Sequence, residues 1–222
     1  MFMSKVILVN ILVLILILGG AGASIYYYNR SINYVTTDNA KIDGQPVTIA
    51  ATTSGQLTEW SGQVGKQYRS GDKVGAIQLP STTAAGTTAA PAKVELSFPV
   101  DATIVQQSVV PNAFVATGTS LARAYDLSHL WVTANVEETR INDIKAGQTV
   151  DVYADAFPGT TITGHVDKVG LATAASFSLL PSSNTTANYT KVTQVIPVTI
   201  TLDGYNGLAL VPGMNVSIRI HI

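Results

Sequence analysis

Apolar and polar positions alternate along residues 54–77 and again along residues 101–124, in one pattern written twice at an offset of 47. Gly55-Gln56-Leu57-Thr58 recurs as Ala102-Thr103-Ile104-Val105. Gly65, Tyr68, Gly71 and Val74 recur as Asn112, Val115, Gly118 and Leu121. Gly and Asn both tolerate the left-handed backbone region that β-branched residues avoid, so the Gly65/Asn112 match predicts the same turn in both copies. Ser70-Gly71-Asp72 reads as a tight turn between short strands, and Val47 and Ile49 as strand positions leading into the first copy. Residues 80–92, between the copies, are small and polar. They are too short for a helical hairpin, because one isolated helix needs roughly 12–15 residues, and they read as a surface loop.

Beyond residue 126 the texture changes. Leu130, Val132, Ala134 and Val136 alternate with polar residues, as in a half-buried strand. Residues 137–144 read as one or two helical turns, acidic at the start and followed by Gly147. Residues 148–155 and 161–169 read as a strand pair around the Pro158-Gly159 turn. Residues 195–202 and 216–222 read as two more strands. The last places Val216, Ile218, Ile220 and Ile222 on one face and Ser217, Arg219 and His221 on the other. Several short strands with one short helix predict a small antiparallel barrel.

The N-terminus reads differently again. No charged residue occurs between Val6 and Asn29. A helix over residues 6–28 would be roughly 34 Å long at 1.5 Å per residue, enough for a ~30 Å hydrocarbon core. Tyr26, Tyr27 and Tyr28 would stand at the far interface. The favoured reading is a single-pass anchor with the remainder outside the cytoplasm. The competing reading is a cleaved signal peptide, with Ala21-Gly22-Ala23 preceding a cleavage site at Ser24. Both put the bulk of the chain outside the cytoplasm.

Composition narrows the chemistry. The formal net charge is −1 with 12% charged residues, so there is no basic footprint for nucleic acid. The absence of cysteine removes disulfides, thiolate metal sites and a cysteine nucleophile. His129, His165 and His221 are scattered without metal-ligand spacing and read as solvated or locally satisfied side chains. Glu137 and Glu138 are adjacent and diverge on a helix, so they read as a charged helix start rather than an acid/base pair. Serines lack a nucleophile-elbow context, and no glycine-rich phosphate loop is present. The expectation is no catalytic residue, no metal and no cofactor. One segment, residues 177–198, is too long and too polar to be only a hairpin turn. Its bland reading is an ordered loop leading into the next strand.

The doubled motif resembles the two halves of a lipoyl/biotinyl-type domain. Such a carrier needs a lysine at the tip joining its halves. Here the tip is residues 80–92, and Lys93, which follows it, has no acidic or Met neighbour beside it. More of the chain resembles the membrane-fusion, or periplasmic adaptor, family, in its EmrA-type branch of HlyD-like proteins. The resemblance is carried by the N-terminal span, by Thr37-Asp38-Asn39-Ala40 and by the run from Leu130 to Thr139. It is carried also by residues 177–198 and by Leu210-Val211-Pro212-Gly213-Met214. Where Tyr189 and Val195 stand, the family typically has Trp and Arg. Its members usually also carry a long α-helical hairpin between the lipoyl halves, where this chain has residues 80–92. Fully extended, that loop spans at most roughly 45 Å without rigidity, so contact with an outer-membrane channel is not expected.

The resemblance implies a mainly β protein: an anchor at 1–30, a lead-in strand at 31–46, a lipoyl-like sandwich at 47–125 split by the linker 80–92, and a β-barrel at 126–222. It implies a non-enzymatic, homo-oligomeric adaptor of a multidrug or small-molecule exporter. Its partner would be an inner-membrane transporter of the major facilitator type. Partner contacts are expected at Phe177, Asn184, Asn188, Tyr189 and Lys191. The rival expectations are a lipoyl or biotinyl carrier modified on Lys93, and an extracytoplasmic envelope scaffold without a transporter.

Overall fold

A computed structural model describes residues 12–22, 24, 33–80, 92–177 and 193–222. Residues 12–22 are helical, about 16 Å at 1.5 Å per residue. Leu12, Leu14, Leu16 and Leu18 on this helix are exposed. The rest of the expected span 6–28 lies outside the described residues, except for Ser24. Among the described residues no helix is long and apolar enough to cross a membrane.

Twelve strands follow among the described residues. They are β1 (Tyr34–Ala50), β2 (Gly55–Trp60), β3 (Gln67–Tyr68), β4 (Lys73–Gln78), β5 (Lys93–Ser97) and β6 (Ala102–Gln107). Then come β7 (Phe114–Val115), β8 (Ser120–Glu137), β9 (Thr149–Ala154), β10 (Thr161–Val169), β11 (Val195–Leu202) and β12 (Asn215–His221). The chain divides into two compact units. One holds residues 42–131 and 209–213; the other holds 1–41, 132–208 and 214–222. The long strands β1 and β8 each run from one unit into the other, so the stretch expected as a lead-in supplies strand to both.

The second unit is a closed barrel. Its strands run β1-β12-β9-β10-β11-β8, and a β1–β8 pairing shuts the sheet. Inward positions alternate along each strand: Val132, Ala134 and Val136 on β8, Val150 and Val152 on β9, Val216, Ile218 and Ile220 on β12. Closure leaves the six-strand ring without a free edge among the described residues. The expected helical turns are a 3₁₀ helix, Glu138–Asp143, and the Pro158-Gly159 turn has Gly159 at φ 87°.

The first unit is a sandwich in which the repeat is written into the backbone. On β2 and β4, Gln56 pairs with Gln78 and Leu57 with Ile77; after a bulge, Glu59 pairs with Ala76 and Trp60 with Gly75. Adding 47 to every number gives the β6–β8 register, with its bulge at the same place. The β2–β7 pairs Gly55–Val115 and Gln56–Phe114 likewise map onto the β3–β6 pairs Tyr68–Ala102 and Gln67–Thr103. Gly65 and Asn112 both have positive φ, 84° and 64°, as do Gly71 and Gly118 at 89° and 83°. The repeat also reaches further than the sequence pattern. Ala51 N donates to Thr119 O at 2.9 Å as Phe98 N donates to Asp72 O at 3.0 Å, so the C-terminal end of β1 matches β5. The core between the halves is Ile49, Leu57, Val74, Ile77, Leu96, Phe98, Ile104 and Leu121, with smaller residues around them.

Candidate functional site

The five residues expected at a partner contact divide unequally. Phe177 ends the short 3₁₀ helix Ala174–Phe177. Asn184, Asn188, Tyr189 and Lys191 lie outside the described residues. The ends of the segment are fixed in the barrel unit: Val169 pairs with Val198, Gly170 N donates to Pro197 O at 2.8 Å, and Glu138 N donates to Gln194 O at 2.9 Å. Gly170 is required there, because a Cβ would stand 2.7 Å from the Pro197 carbonyl oxygen. The segment therefore leaves and re-enters the barrel between neighbouring strands.

Two stretches of the resemblance meet each other. Thr37 Oγ1 donates to Asn135 O at 3.0 Å, and Asn135 Nδ2 donates to Asn39 Oδ1 at 3.1 Å. Thr37-Asp38-Asn39-Ala40 sits at the bulge of β1, between Thr37 and Ala40, and Asn135 lies on β8. These residues tie the seam that closes the barrel. A third stretch is tied to β1 in the sandwich unit: Gly213, at φ 91°, donates its N–H to Ile42 O at 2.8 Å.

The linker between the halves leaves β4 and returns on β5. Gln78 pairs with Lys93, and Leu79 N donates to Ala92 O at 2.9 Å, while residues 81–91 lie outside the described residues. Lys93 is a strand residue rather than a turn residue. Its ammonium contacts Glu59 at 3.1 Å; Glu59 contacts Lys73 at 3.3 Å, and Lys73 contacts Glu95 at 2.8 Å. Hydrogen bonds from Lys93 and Lys73 hold the Glu59 carboxyl below the usual carboxylate range, and bonds to Glu95 and Glu59 raise Lys73. This geometry speaks for a charged outer face on the sheet rather than a swinging arm.

Each histidine has a carboxylate partner that its sequence context did not reveal. His129 Nδ1 lies 2.6 Å from Asp126, His165 Nδ1 2.9 Å from Asp203, and His221 Nε2 2.9 Å from Asp151. Among the described residues no group of three or more His, Cys, Asp or Glu side chains is arranged to hold a metal ion.

The barrel carries a groove that the sequence reading did not anticipate. It measures 430 Å³ and is lined by Thr36, Thr37, Asp38, Tyr153, Ser217, Ile218 and Arg219. The Arg219 guanidinium lies 5.5 Å from the Tyr34 ring centre and 5.6 Å from that of Tyr153. Tyr34 meets the His221 ring edge-on at 4.9 Å. The available signal was the strict alternation of β12, which puts Ser217, Arg219 and His221 on one outward face.

Residues 130–220 match the family model described as a YknX-like beta-barrel domain. The chain is 39% identical over 216 residues to the putative efflux system component YhbJ of Bacillus subtilis (strain 168), covering 97% of this chain and 92% of that one. It is 33% identical over 132 residues to the multidrug export protein EmrA of Escherichia coli (strain K12). That match covers 58% of this chain and 33% of the relative, so only about a third of the longer protein is represented. The solved periplasmic adaptor protein EmrA shares the fold at a TM-score of 0.54 and 11% identity, over 86% of this chain and 99% of that chain.

Proposed function

The chain belongs to the EmrA-like membrane fusion proteins, the adaptors of efflux systems, and from that premise we propose that it serves a multidrug or small-molecule exporter as its non-enzymatic adaptor. The observation that carries this is the near full-length similarity to an efflux system component, which includes both the sandwich and the barrel. In this reading residues 6–28 anchor the chain in the cytoplasmic membrane and both folded units stand outside the cytoplasm. Helical residues 12–22, with leucines exposed to their surroundings, suit burial in lipid.

The partner is an inner-membrane transporter of the major facilitator type, which supplies the energy. The chain acts as a homo-oligomer docked on the transporter's outer face. Contacts fall on Phe177 and on the neighbouring Asn184, Asn188, Tyr189 and Lys191. In this reading the linker 80–92 is too short to replace the family's long helical hairpin, and no outer-membrane channel is contacted.

Cross-linking in intact membranes, followed by affinity capture of the chain, is expected to recover a polytopic transporter. Deletion of the gene is expected to lower tolerance to at least one exported compound. Recovery of no transporter together with unchanged tolerance would instead favour an envelope scaffold.

A further inference from the structure

Arg219 is half-buried, and among the described residues no carboxylate lies within ion-pair distance of it. Its cross-strand neighbours are Thr36 on β1 and Asp151 on β9. Asp151 directs its Oδ2 to His221 instead, at 2.9 Å. The guanidinium lies within cation–π range of two tyrosine rings, and among the described residues its N–H groups donate to no acceptor. The hydroxyls of Thr36 and Ser217 line the same groove and have no hydrogen-bond partner among the described residues. A cation with unspent donors and two neighbouring hydroxyls is a cradle for an oxyanion. The groove volume, 430 Å³, falls in the range of roughly 300–1,000 Å³ usual for small-ligand sites. Asp38 lines the groove as well, and its negative charge disfavours a dianion over a monoanion.

We propose that this groove binds a phosphodiester monoanion, with the Arg219 guanidinium and the Thr36 and Ser217 hydroxyls as donors to its free oxygens. A phospholipid headgroup and a soluble phosphodiester share this chemistry. The site does not depend on the exporter reading; only its lipid source depends on the membrane placement proposed above.

The test uses the full chain in a phosphate-free maltoside detergent. Dimethyl phosphate and a short-chain phosphatidylglycerol are titrated separately while the NMR signals of the Tyr34 and Tyr153 rings are followed. Saturable shifts are expected. Arg219→Gln should weaken binding by about tenfold or more, the loss of a charged hydrogen-bonding partner. Arg219→Lys keeps the charge but loses the planar fork, and should fall between. Thr36→Val and Ser217→Ala should each weaken binding without altering the Val150 and Ile220 methyl signals, buried in the barrel away from the groove, that report an intact fold. Saturation by both probes assigns the phosphodiester itself; saturation by the lipid alone assigns the headgroup, and by dimethyl phosphate alone a soluble source. No saturable shift with either probe, or equal affinity in Arg219→Gln with the barrel signals intact, would overturn the site. Because the dimethyl phosphate arm needs no membrane, its failure is separate from any failure of the exporter reading.

Discussion

In the half of the sandwich that spans residues 47–78, the indole of Trp60 lies against two glycines, Gly62 and Gly75. In the half that spans residues 94–125, the same three places hold Gln107, Val109 and Ala122. A Cβ on Gly62 would stand 2.6 Å from Trp60 Cζ2; on Gly75 it would stand 2.7 Å from Glu59 O and 3.2 Å from Trp60 Cε3. A large ring in one half is accommodated by removing the side chains beside it, and the shorter Gln107 allows them back. The two residues meet, because Trp60 Nε1 donates to Gln107 Oε1 at 3.3 Å. A second asymmetry lies in the core: Tyr68 stacks on Phe98 at 4.8 Å, and the matching positions are Val115 and Ala51. The strand registers of the two halves nevertheless agree pair for pair. Main-chain hydrogen bonding sets the symmetry, and local volume decides which side chains fill it.

The core asymmetry gives the largest expected effect. Phe98→Ala removes a buried ring stacked on Tyr68, and should destabilise the fold by about 3–5 kcal/mol. Val115→Ala, on the smaller side, should cost only about 2 kcal/mol. Urea unfolding of the two variants measures the difference. Equal losses would mean that the two sides of the core carry equal weight, against the volumes seen here.

Swapping the indole environment tests the same comparison more locally. Gly62→Ala places a methyl against Trp60 Cζ2, Trp60 Cε2 and Ile104 Cδ1, and should cost about 1–3 kcal/mol as overpacking. Trp60→Gln reproduces the residue of the other half and should relieve most of that cost. The double-mutant cycle should then show a coupling of about 1 kcal/mol or more. Additive losses would place the crowding elsewhere than on the indole.

Much of this asymmetry was hidden in the sequence while the symmetry was legible. The offset of 47 could be read because turns demand particular residue types: Gly65, Gly71 and Gly118 have few substitutes at positive φ. The C-terminal end of β1 and β5 escaped notice as a matched pair. Their inward residues, Ile49 and Leu96, are generic apolar residues with no turn between them to mark the register. In the barrel, alternation located β9 to β12 within a residue or two, since one face of each strand is buried. The groove at Arg219 was not legible, because it is built by strands β1, β9 and β12, which are far apart in the chain. Nor were the three His–Asp pairs, two of which join residues 38 and 70 positions apart. The residues expected at the partner contact, Phe177 apart, fall outside the described residues.

The turn positions give a smaller effect than the core. Asn112 carries φ 64°, and its counterpart Gly65 carries 84°. Asn112→Gly should be close to neutral, because glycine adopts this region without a Cβ penalty and loses only unfolded-state entropy. Asn112→Val should cost about 1–2 kcal/mol, the penalty of the left-handed region for a side chain branched at Cβ. Thermal unfolding of both variants separates these outcomes. A neutral valine would show that the second turn can depart from the geometry of the first.

The smallest effect concerns a feature present on one of the two sheets alone. Glu59, Lys73, Lys93 and Glu95 form an exposed ladder on β2, β4 and β5, while the places of Glu59 and Lys73 in the other half hold Gln106 and Ser120. Glu59 is held below its ordinary value by Lys93 and Lys73, so its contribution is present above the unfolded carboxylate range and is lost as pH falls through the folded value. Lys73 is raised by Glu95 and Glu59, so its contribution is complete below the unfolded lysine value and is lost as pH rises through the folded one. The ladder therefore contributes most between these limits. Its groups are exposed, so salt screens them. Glu59→Gln should lower the thermal midpoint slightly at neutral pH and low salt, with the difference from wild type vanishing in high salt and in acid. Gln106→Glu, which adds the charge to the other half without its lysines, should bring no gain under the same conditions. A gain there would mean that the ladder owes its stabilisation to something other than its paired lysines.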